Sequence, residues 1–120
     1  MTIADWPSTT KQLSAELRDL RLGAPDVMRA FSAIAQAALA SKALDGKTKE
    51  LIALAISVVV RCDDCIAFHA KAAVEHGATR EEALETLGMA IYMGAGPSAM
   101  YASHALTAFG QFAAAKTAAE

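Results

Sequence analysis

The stretch KTKELIALAISVVV, residues 47–60, decides how this chain folds. Ile56, Val58, Val59 and Val60 are β-branched and favour a strand. Two features outweigh them: the apolar residues show no strict alternation, and the run from Lys47 exceeds ordinary strand length. The stretch therefore reads as a helix. It is apolar on nearly every side, which implies burial, in part against another subunit.

The pattern on either side is also helical. A first helix is expected from about Thr10 to Leu20, with Leu13, Leu17 and Leu20 on one stripe. Gly23-Ala24-Pro25-Asp26 interrupts it, and Pro25 suits the first turn of a second helix carrying Val27, Phe31, Ile34 and Leu39. Asp45-Gly46 marks the turn before the decisive stretch. Beyond it, Arg61-Cys62-Asp63-Asp64 breaks the apolar run, and a fourth helix reaches about His76, with Gly77 as its C-cap. Thr79 and Glu82 form a capping box that opens a helix carrying Leu84, Leu87 and Ile91. Gly94-Ala95-Gly96-Pro97 ends that helix, and a last one runs from Pro97 to about Ala115. No repeat or linker interrupts the series. Residues 1–120 read as one all-α domain, a compact bundle of about five to six helices.

Composition narrows the function. At 120 residues and 54% hydrophobic the chain has material for one modest core, and 20% charged residues exclude intrinsic disorder. Alanine fills about a quarter of the positions, which favours packed helices over a sandwich or barrel. A net charge of −2 gives no basic footprint for nucleic acid. A small monomer cannot hide so much apolar surface, so a self-associating face is expected. The opening MTIADWPSTTKQL lacks a basic region followed by an apolar one, and Leu51–Val60 is far short of a membrane span. The expectation is a soluble, cytoplasmic protein with no membrane partner.

The two cysteines, Cys62 and Cys65, form a Cys-x-x-Cys, which in a reducing compartment points to redox or metal chemistry. In CDDCIAFH, residues 62–69, Cys62, Cys65 and His69 share one helix face, with Cys65 and His69 one turn apart. A helix N-terminus stabilises a thiolate, and an imidazole can take the thiol proton. Cys65 is thus the better nucleophile and Cys62 the resolving thiol, while Asp63 and Asp64 oppose ionisation by adding negative charge. In an antiparallel hairpin turning near Arg61, the carboxylate of Glu50 falls about 4–5 Å along the axis from His69, a gap one water could bridge. Zinc would need a fourth ligand, and only Asp64, His76 and His104 are available as weak fallbacks, so no metal or resident cofactor is expected. His76 suits the last turn of its helix. His104 shows no partner in the sequence. Met89, Met93, Met100, Tyr92 and Tyr101 suit a core or subunit interface, or the lining of a small apolar pocket.

Glu50, Cys62-x-x-Cys65 and His69 together resemble the signature of the alkyl hydroperoxidase D-like branch of the carboxymuconolactone decarboxylase family. The text from Lys49 to Ile91, KELIALAISVVVRCDDCIAFHAKAAVEHGATREEALETLGMAI, is similar to that family's core. The resemblance is strongest over residues 43–115 and weak before Ala43. It implies an all-α fold and a homotrimer or homohexamer. It also implies reduction of a hydroperoxide substrate through a Cys62/Cys65 dithiol–disulfide cycle. Cys65 would attack, Cys62 resolve, and His69 with Glu50 relay protons, an external dithiol, of lipoyl type, restoring the thiols. Alkyl hydroperoxidase D has a histidine immediately before the second cysteine. Here that position is Asp64, so the relay lacks one group. The alternatives are lactone decarboxylation, as in the family's founding members, and a non-enzymatic oligomeric redox sensor.

Overall fold

The computed structural model describes residues 5–120. The reading of the N-terminus as free of a secretory signal lies partly outside them, on residues 1–4. Five helices follow in order: α1 (Trp6–Gly23), α2 (Pro25–Leu39), α3 (Gly46–Val59), α4 (Asp63–Glu75) and α5 (Arg80–Ala119). Among the described residues there is no strand. The fold is all-α, as the patterning implies, and no described helix is long and apolar enough to cross a membrane.

The helix ends show why the chain breaks where it does. α1 begins earlier than the leucine stripe suggests, because Asp5 caps it by accepting from the Ser8 amide and Pro7 occupies its first turn. Asp45 caps α3 in the same way, through the Thr48 amide. Gly77 leaves α4 at φ 83°, a left-handed turn that favours glycine, and the Gly77 and Ala78 amides close the helix on Val74 and Ala73. Thr79 and Glu82 make both bonds of the expected capping box. Gly94–Pro97 breaks the long final element as expected, so α5 is two helices joined across a kink. Ala95 takes φ 58°, ψ −143°, and helix resumes at once on the far side.

The core lies where α3, α4 and α5 meet. Leu54, Val58, Ile66, Ala67, Ala70 and Ala73 are fully buried there, with Ala83, Ala105 and Ala108 facing them from α5. Alanine at the crossings lets the helix axes approach closely, so a core with few large side chains is still continuous. Trp6 of α1 is buried against this core, and its amide donates to Gln111 Oε1 at 2.8 Å.

Within the single chain, burial of α3 is one-sided. Leu54 and Val58, one turn apart, are wholly inside, while Ile56 and Val60 are 56% and 63% exposed. α2 goes further, with no buried residue at all, and its stripe of Val27, Phe31 and Ile34 faces outward. Met89, Tyr92, Met93 and Met100 are likewise exposed, so they are not core residues of the single chain.

The caps carry a measurable share of the stability. Thr79→Ala is expected to cost about 1 kcal/mol, read as a lower melting temperature. Hydrogen bonds from Lys47 and the Thr79 amide hold the Glu82 carboxyl below its ordinary value, and those from the Thr48 hydroxyl and amide do the same for Asp45. A carboxyl so depressed contributes above its unfolded pKa, and the contribution is lost as pH falls through the folded value. Melting temperature should therefore drop as pH is lowered below about 4, and the drop should shrink in the Glu82→Gln variant.

Candidate functional site

The site is built by the α3–α4 hairpin. α3 stops at Val59, and the chain turns through Arg61, which takes φ 61°. The Cys62 amide then donates back to the Ser57 carbonyl at 3.0 Å. This turn places Cys62 as the N-cap of α4: its Sγ accepts from the Cys65 amide at 3.1 Å and its carbonyl from the Ile66 amide. Cys62 and Cys65 are joined as a disulfide, with Cα atoms 5.2 Å apart. Sequence reasoning set the pair at a helix mouth. The structure shows Cys62 forming that mouth.

Glu50 and His69 meet directly, without the bridging water expected from the axial offset. His69 Nδ1 lies 3.2 Å and 3.4 Å from the two Glu50 oxygens. Glu50 is only 4% exposed, and the His69 side chain 30%. With Nδ1–H donating to the buried Glu50 carboxylate, Nε2 is the ring nitrogen left to exchange a proton. All four residues singled out from the sequence thus fall in one hairpin.

A cavity of about 520 Å³ opens onto this group. Cys65 and His69 line it, with Phe68 of α4, Leu13 and Leu17 of α1, and Phe31 of α2. Its charged lining residues are both acidic, Glu16 and Asp64. These walls leave no local signal in the sequence, because α1 and α2 reach Cys65 only through tertiary packing. The methionines and tyrosines proposed as pocket lining are absent from it. Met89 and Met93 instead line a smaller apolar hollow of about 280 Å³ with Ile56 and Val59. A larger cavity, about 620 Å³, lies around Lys11, Lys71 and Lys116 and touches neither cysteine. Of these cavities, the 520 Å³ one is lined by both Cys65 and His69.

The remaining histidines separate. His76 Nδ1 lies 2.8 Å from the Ala72 carbonyl at the end of α4, in keeping with a role in the last turn. His104 does have a neighbour: its Nδ1 is 3.5 Å from Asp63 Oδ1. Among the described residues no three His, Cys, Asp or Glu side chains gather as a metal would require.

A helical bundle with a Cys-x-x-Cys at a helix mouth, backed by a buried glutamate–histidine pair, defines a class of all-α dithiol proteins. The chain belongs to the carboxymuconolactone decarboxylase family, whose profile matches residues 25–108. That match includes α2, earlier than the resemblance read from Ala43 onward. A carboxymuconolactone decarboxylase family protein from Legionella pneumophila is 52% identical and superposes with a TM-score of 0.87 over 90% of this chain and 96% of its own. A family protein from Thermotoga maritima, for which a part in the antioxidative response has been suggested, is 28% identical, with a TM-score of 0.84 over 93% and 96% of the two chains. An uncharacterised protein of Cupriavidus necator is 41% identical over 88% of this chain and 93% of its own.

If Glu50 acts through His69, Glu50→Gln in the reduced protein should slow alkylation of Cys65 roughly tenfold, equivalent to about one pKa unit. Adding His69→Gln should then cost little more, since the two form one unit. Peptide-resolved alkylation rates test both.

Proposed function

We propose that the protein is a thiol-dependent peroxidase and disulfide oxidoreductase of the alkyl hydroperoxidase D type. The observation that carries this reading is one cavity lined by Cys65 of the Cys62–Cys65 disulfide and by His69 of the buried Glu50–His69 pair. The cavity is large enough for a small organic hydroperoxide and mostly apolar, which suits the alkyl portion of such a substrate.

The cycle starts from the dithiol. His69 takes the Cys65 proton through Nε2, and Glu50 stabilises the resulting imidazolium. The Cys65 thiolate attacks the distal oxygen of the hydroperoxide, the O–O bond breaks, and the departing alkoxide is protonated to an alcohol. Cys65 is left as a sulfenic acid. The Cys62 thiol displaces its hydroxyl, forming the disulfide and releasing water. An external dithiol, of protein or lipoyl type, then attacks the disulfide and leaves as its own disulfide, restoring both thiols. The sum is one hydroperoxide and one dithiol converted to alcohol, water and disulfide. A reducing compartment, the cytoplasm, would keep that dithiol supplied. Asp64 beside Cys65 disfavours the thiolate, so turnover should be slow for this type of enzyme.

Assembly belongs to the same reading. The outward apolar faces of α2 and of the α3–α5 side are too extensive for a lone chain, and further copies of the chain, as a trimer or hexamer, would cover them.

One equivalent of hydroperoxide should remove two hydrogens from the intact mass of the reduced protein. Cys65→Ser should cut peroxide consumption roughly a hundredfold or more. Undiminished consumption would reject the assigned nucleophile, and activity on a carboxylactone surviving replacement of both cysteines would favour lactone decarboxylation. Sizing should give three or six copies, falling toward one in Ile34→Glu; a monomeric parent would refute the assembly. An oligomeric state that changes between reductant and oxidant would favour the redox sensor.

A further inference from the structure

We propose that His104 and Asp63 form a second histidine–carboxylate pair that positions Cys62 and sets the charge beside it. The pair rests on the dithiol cycle proposed above, but not on peroxide being its oxidant. Asp63 is the first residue of α4, joined by a peptide bond to Cys62, the cap. Its Oδ1 is shielded from solvent and accepts no hydrogen bond. A carboxylate oxygen in that condition is costly unless a positive group answers it.

His104 answers from α5. Its Nδ1 lies 3.5 Å from that oxygen, too far for a strong hydrogen bond and well within coulombic reach. Both side chains are 32% exposed, so the interaction is only partly screened. The Tyr101 ring sits 5.2 Å from the imidazole, centroid to centroid, and limits where it can turn. Asp63 faces His104 from α4, and Tyr101 flanks it on its own helix.

Asp63 and His69 are six residues apart on α4, which sets them about 120° apart round its axis. The two pairs therefore approach the disulfide from different neighbours, Glu50–His69 through α3 and Asp63–His104 through α5. Opening of the disulfide gives Cys62 a titratable sulfur next to the Asp63 carboxylate, which raises the cost of a thiolate there. His104, 3.5 Å from that carboxylate, is the group placed to offset it when its ring carries a proton. It is a positioning residue, since it acts on the sulfur through Asp63.

The test is iodoacetamide alkylation of the reduced full chain at neutral pH, read at each cysteine by peptide mass spectrometry. His104→Gln should slow Cys62 about threefold or more, equivalent to half a pKa unit, and change Cys65 less. Asp63→Asn should speed Cys62 by a similar factor, and in that background His104→Gln should do nothing further. Equal slowing of both cysteines, no change, or additive effects in the double variant would overturn the assignment. If His104→Gln fails to fold, Asp63→Asn decides alone, an unchanged or slower Cys62 counting against the pair. A parent disulfide that dithiothreitol cannot open would sink the dithiol cycle itself, an outcome distinct from all of these.

Discussion

The contact between Glu50 and His69 fixes how α3 and α4 align beside the cysteine pair. A carboxylate with 4% of its surface exposed has almost no water to solvate it, so the hairpin must supply a partner. His69 does so from α4 at 3.2 Å, and that distance is met only in one register of α3 against α4. The same register runs Ser57, Arg61 and Cys62 into the tight turn that caps α4. Burial of one charge and placement of two sulfurs are thus one structural event. Removing either partner would leave the other half-satisfied in a crowded place.

The core makes that register tolerable. Alanines at the α3, α4 and α5 crossings bring backbones close without demanding large interlocking side chains. Specificity of alignment then falls to polar contacts between helices, three of which are side chain to side chain: Glu50 with His69, Asp63 with His104, and Lys47 with Glu82 at 2.8 Å. Two of those three contacts involve residues within a turn or two of the cysteines. α4 is the central member, touched by a histidine–carboxylate pair through each flanking helix.

The outer parts follow a different logic. α1 is anchored by Trp6 and the Gln111 contact, and its leucines wall the cavity. α2 presents apolar residues to solvent along its whole length, with Phe31 turned to the cavity yet 61% exposed. A helix with so little buried surface gains scant stability from its own chain. Its apolar stripe stays uncovered within the described chain.

Much was legible in the chain itself. Local rules sufficed for the turn at Asp45-Gly46, the capping box at Thr79, the glycine stop at Gly77, and the helical state of residues 47–60, because each depends on neighbours within a turn. Spacing placed Cys65 and His69 on one face, since helical period acts over the same range. Where prediction stopped, the interaction was long-range. Nothing local told that His104 would meet Asp63, some forty residues away, or that α1 and α2 would wall the cysteines. One-sided burial of α3 was hidden as well, because an all-apolar sequence does not record which face finds a neighbour. Sequence determined the helices and the reactive residue types, through backbone propensity and side-chain chemistry. Tertiary packing decided which carboxylate met which histidine, which helices wall the cavity beside Cys65, and which face of α3 is covered, because those depend on distances that only the folded chain sets.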